Sequence, residues 1–176
     1  MSFTKSLIQK DGNISITKFN GEFKSFSETD LFSGQGKLIC FLDVETTGKN
    51  RQEDGIVELA LKSVSINEQT GDILSIQDPY QSFHDPGIPI TEEASAVNGI
   101  TDEMVTGKQI DWNCVKNMFD SSNLIVSHNA SFDRAFLDRA LPTSQQKLWA
   151  CSINDIDWIA KGFTNCICLM RNNVGN

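Results

Sequence analysis

Two carboxylates two residues apart, Asp43 and Glu45, directly follow the apolar run Leu38-Ile39-Cys40-Phe41-Leu42 in the stretch FLDVETTG. In an extended chain residues two apart point to one side, so the pair converges at the end of a strand whose composition suits burial on both faces. Like charges there are costly unless a cation or a hydrogen-bond network compensates them, and a divalent metal is the obvious compensator. For this pair alone the alternative is equally good: the strand has ended and both side chains are solvated. A third carboxylate, Asp133, sits in Ser127-His128-Asn129-Ala130-Ser131-Phe132-Asp133, where a strand gives way to a helix. It then occupies the first helical turn at the edge where open α/β folds place ligands, or serves only as a favourable N-terminal charge.

The elements that must position these groups follow from pattern. Leu38–Leu42 predicts a buried strand, and residues 54–65 (DGIVELALKSVS) a second. Turn residues 68–72 lead into a third over 73–83. Thr91 as N-cap with Glu92 and Glu93 in the first turn predicts a short helix over 91–97. Residues 111–119 place Trp112, Val115, Met118 and Phe119 on one helical face. Residues 124–127 form a short strand and 131–140 a helix with Phe132, Ala135, Phe136 and Ala140 at apolar positions. Strands alternating with helices predict an α/β fold, a mixed sheet covered by helices. Upstream, Asn20-Gly21 between partly alternating segments in residues 14–26 predicts an accessory hairpin with a type I′ turn. The expected organisation is a hairpin and linker over 1–36, a core over 37–164 and an atypical tail over 165–176.

FLDVETTG resembles the first motif of the DEDD-type exonucleases, and SHNASFDRAFL the second, in the form of the DnaQ-like branch that includes the epsilon subunit of bacterial DNA polymerase III. DGIVELA resembles that family's second strand, and ASAVNGITDEMV its segment ending in Gly-Ile-Thr. The resemblance covers about residues 37–161. It implies a ribonuclease-H-like fold with a mixed central sheet of about five strands. It also implies a 3′→5′ exonuclease using two Mg2+ ions, with Mn2+ as substitute, about 3.5–4 Å apart on the terminal phosphodiester. Asp43, Glu45 and Asp133 become the metal-binding catalytic residues. Thr46, Thr47, Gly48, Asn98, Gly99, Ile100 and His128 become substrate-binding residues, His128 in a structural or orienting role and not as the general base. Glu58 is either a further carboxylate near the metals or a solvent-facing strand residue. His84 is expected to end the third strand.

The family's third motif, a His followed five residues later by an Asp on a helix, has no counterpart. Beyond Asp133 the chain holds no His, and its acidic residues are Asp138, Asp155 and Asp157; the one Tyr is Tyr80. Residues 149–163 still resemble the next strand and helix, whereas NCICLMRNNVGN from Asn165 onward does not. Impaired hydrolysis is therefore expected, with a non-catalytic module that holds a 3′ end or a polymerase as the alternative. The net charge of −8 argues against wrapping a long nucleic acid, though not against gripping a few terminal nucleotides through metals. Five scattered cysteines without an apolar leader point to free thiols in the cytoplasm. Cys166-x-Cys168 lacks the partners a zinc site needs. No apolar run reaches the roughly 20 residues of a membrane span. Expected partners are a single-stranded DNA or RNA 3′ end, a DNA polymerase subunit, and a second copy of the chain.

Overall fold

The computed structural model of the chain describes residues 4–10, 13–18 and 36–160. An N-terminal hairpin is present, built from β1 (Thr4–Lys10) and β2 (Asn13–Lys18) in antiparallel register. Residues 13–18 thus have the upstream strand as a partner, and the hairpin expected at Asn20-Gly21 lies outside the described residues. The hairpin belongs to a unit separate from that of residues 28–157.

Within the larger unit the strand expected at 38–42 runs longer, as β3 (Gly36–Thr46), and so carries Asp43 and Glu45 within its ladder. β4 (Ile56–Asn67) pairs with it antiparallel along nearly its whole length. The strand expected over 73–83 is two, β5 (Ile73–Ile76) and β6 (Tyr80–Phe83), both antiparallel to β4. Pro79, which has no N–H to donate, lies between them. β7 (Leu124–Ser127) runs parallel to β3, and β8 (Trp149–Cys151) parallel to β7. The six-stranded mixed sheet thus has the order β5-β4-β3-β7-β8, with β6 also on β4.

Among the described residues four α-helices and one 3-10 helix (Pro142–Gln146) join these strands: α1 (Glu92–Asn98), α2 (Asp102–Val105), α3 (Trp112–Ser121) and α4 (Ala130–Ala140). Thr91 caps α1 by accepting from the Ala94 N–H, as expected, and Asp111 caps α3 through the Asn113 and Cys114 amides. Cys40, Leu42 and Val44 of β3, Leu59 and Leu61 of β4 and Ile125 of β7 share one buried core with Val115 and Phe119 of α3 and Phe136 and Leu137 of α4. By the strand alternation, Phe41, Asp43 and Glu45 stand on the opposite face of β3. Phe41 is 46% exposed there although its strand is central. Of the expected helix after β8, Trp158–Ala160 lie in a turn and the rest lies outside the described residues, as do Cys166 and Cys168. No helix among the described residues is long and apolar enough to cross a membrane.

Candidate active site

β3 carries Asp43 and Glu45 on one face, and the antiparallel register sets Glu58 of β4 directly opposite Glu45. Three carboxylates therefore crowd one patch of sheet. Gln81 of β6 donates its side-chain amide to Glu58 Oε1 at 2.6 Å, fixing that carboxylate across the strand pair. Of the two readings of Glu58, solvent-facing or grouped with the acidic pair, its place opposite Glu45 favours the second.

Asp133 arrives from a different element. β7 ends at Ser127, and Asn129 adopts a left-handed conformation (φ 67°) that turns the chain into α4. Asp133, in the first turn of that helix, is only 2% exposed. Its Oδ1 accepts from the Val44 N–H at 3.1 Å and its Oδ2 from the Ser127 hydroxyl at 2.6 Å. Val44 lies between Asp43 and Glu45, so the helix is tied to the strand at the acidic pair itself.

The electrostatics record this crowding. Glu45 is pushed up to about 7, first by loss of water and then by the charges of Asp43, Glu58 and Asp133, against a hydrogen bond with Asn98. Asp133 is raised to about 6, again chiefly by burial, with the Ser127 hydroxyl and the Val44 amide pulling it down and Asp43 adding to the rise. Asp43 is raised too, by desolvation against the sheet and by Glu58, while His128 opposes. An anionic cluster that resists ionisation presents hard oxygen donors, the donor chemistry of a Mg2+ or Mn2+ site. Among the described residues no three His, Cys, Asp or Glu side chains form a ready-made metal cage. Asp133 has turned both oxygens to protein donors. The residues fit a site with Asp43 and Glu45 as protein ligands, completed by water and ligand oxygens, as Mg2+ commonly is.

The expected substrate residues divide. Asn98, at the end of α1, hydrogen-bonds Glu45 and donates to the Thr46 carbonyl at 3.4 Å, so it joins the acidic patch to the turn after β3. Gly99 caps α1 with φ 74° and is exposed. Ile100 is 3% exposed and packs with Val57 and Val105. Thr47 is fully buried with its polar groups engaged within the protein. Its hydroxyl donates to Asp54 Oδ1 at 2.9 Å and accepts from the Gly55 N–H, its N–H reaches the Gly55 carbonyl, and its carbonyl accepts from Thr91. The Thr46 hydroxyl is likewise committed, to the Gly48 carbonyl at 2.6 Å. A Cβ at Gly48 would collide with the Asp54 carboxylate, which explains the glycine without any ligand.

His128 is exposed, with Nδ1 2.8 Å from the Ser152 hydroxyl. His84, directly after β6, accepts from the Ile110 N–H at 3.4 Å and meets Trp112 edge-on. The sequence alone did not single out Ser127, Asp54 or Arg139, since each acts through a partner distant in the chain.

A family model described as Exonuclease matches residues 40–160. The chain is 35% identical over 108 residues, 60% of its length, to a DNA polymerase III PolC-type of Listeria welshimeri. It is 37% identical over 117 residues, 65% of its length, to the PolC-type polymerase of Halalkalibacterium halodurans. It spans only 7% and 8% of these relatives. Among solved structures, Exonuclease I of E. coli in complex with a 5cy-dA13 oligonucleotide superposes over 66% of this chain and 28% of that one, with TM-score 0.53 at 15% identity, a likeness of fold.

Proposed function

The chain belongs to the exonuclease family, and we propose that within it this protein is a divalent-metal-dependent 3′→5′ exonuclease site for single-stranded nucleic acid ends. The observation that carries this reading is the convergence of Asp43 and Glu45 on the β3 face, with Asp133 bound behind them to the Val44 amide. Asp43 and Glu45 would hold the metal, and Asp133, buried and doubly hydrogen-bonded, would fix the strand and meet the site through water. When bound, Mg2+ or Mn2+ supplies Lewis-acid stabilisation of the phosphodiester and a more acidic water.

The chain's own residues do the rest. With both threonine hydroxyls and the Thr47 main chain committed, the turn after β3 would serve as a fixed wall beside the acidic pair, with Asn98 and Gly99 following it at the end of α1. The PolC-type relatives favour DNA as substrate and a polymerase as partner, in the cytoplasm. The second reading, a module that holds a 3′ end without cleaving it, is favoured by the engagement of both Asp133 oxygens with protein donors.

The test is stepwise shortening of a 5′-labelled single strand with enzyme in excess. Slow loss from the 3′ end in Mg2+ or Mn2+, absent in EDTA and in Asp43→Asn, is the expected result. Binding without shortening selects the second reading, and cleavage that Asp43→Asn leaves intact would overturn the site.

A further inference from the structure

The turn after β3 is held by a lock that reaches α4. Arg139, in the last turn of α4, donates from one guanidinium nitrogen to the Arg51 carbonyl and from the other to the Asp54 carbonyl at 2.6 Å, while its guanidinium lies 5.7 Å from the Phe136 ring centroid. Asp54 passes the constraint on. Its Oδ2 accepts from the Asn50 N–H at 2.6 Å and its Oδ1 from the buried Thr47 hydroxyl, and it fills the space a side chain at Gly48 would take. Thr47 in turn receives the N–H of Thr91, the cap of α1, and α1 ends at Asn98, which bonds the Thr46 carbonyl and Glu45. One helix is therefore tied twice: Asp133 in its first turn to Val44 between the acidic residues, and Arg139 in its last turn to the loop that follows them.

We infer that Arg139 and Asp54 are positioning residues for the 3′-terminal nucleotide: they fix the course of the Thr46–Gly48 turn that borders the acidic pair, without touching nucleotide or metal. The inference rests on the reading of the acidic patch as a 3′-end site. A planar fork suits two carbonyls at once in a way a lysine ammonium does not. The Asp54 carboxylate serves two donors with two oxygens, and an asparagine offers only one acceptor to them. On this reading a small shift of the turn degrades nucleotide binding while Asp43 and Glu45, held by the β3–β4 ladder, keep their places.

The experiment measures fluorescence anisotropy of a labelled single-stranded DNA carrying a phosphorothioate terminal linkage and a free 3′ hydroxyl, in Mn2+, with the full chain and with Arg139→Lys and Asp54→Asn. Mn2+ affinity and Tm are measured in parallel on the same proteins. Binding about 10-fold weaker in both variants at unchanged Mn2+ affinity is the expected result. A lower Tm with unchanged DNA affinity would overturn the inference and make the lock purely structural. Should the unaltered chain fail to bind the strand in Mn2+, the 3′-end reading itself fails and the inference with it.

Discussion

Glu45 shows in one side chain how the fold and the site oppose each other. Its carboxyl is raised to about 7, with burial the largest cause and the neighbouring carboxylates next; Asp133 is raised to about 6 by burial. An acid whose folded pKa exceeds its unfolded value holds its proton longer when folded. Its favourable contribution is complete below the unfolded pKa and lost as pH rises through the folded one. Without metal, stability should therefore fall as pH rises from about 4.5 to about 7. A divalent cation binds the ionised form and should flatten this slope. Thermal melts in EDTA and in Mg2+ check both arms. Glu45→Gln should raise Tm in EDTA at neutral pH by a few degrees and have little effect at pH 4.5, and a Tm in EDTA that is flat with pH would refute the assignment of the strain. The acidic residues themselves were legible in the sequence, because a period of two and a strand-to-helix junction suffice to place Asp43, Glu45 and Asp133. Thr47 and Ile100 were not, since a residue beside a site and a residue buried beneath it read alike until Asp54 and Val57 are seen to claim them.

At the scale of elements, the junction between β7 and α4 decides where Asp133 falls. Asn129 takes φ 67° with no side-chain capping bond, so its value lies in tolerating the left-handed region and not in a cap. Asn129→Gly should leave stability nearly unchanged, whereas Asn129→Val should cost about 1–3 kcal/mol in urea unfolding. Equal stability of the two variants would show that the turn is not a constraint. Element order was readable from the alternation of apolar runs with amphipathic stretches. What escaped was pairing: β1 was not foreseen as the partner of residues 13–18, and the expected third strand is two, with Pro79 between them. Such choices rest on contacts across the sheet, which local pattern does not encode.

For the molecule as a whole, a helix-covered face and an open face divide the labour of one sheet. The covered face holds the core, and the open one holds Asp43, Glu45 and Glu58 beside the half-exposed Phe41. The separation lets a stable apolar interior carry a destabilising acidic patch. We propose residues 37–164 as the unit that carries the chemistry, with association of two copies through the apolar part of the open face as a further proposal. The first depends on the acidic patch being a metal site. The most direct measurement is calorimetric titration with Mn2+ of the full chain and of Asp43→Ala at neutral pH, followed by chelation to recover the metal-free protein. Weak saturable binding that is abolished by the substitution and reversed by chelation is what a site of two carboxylates completed by water predicts; equal heats from the two proteins would contradict it.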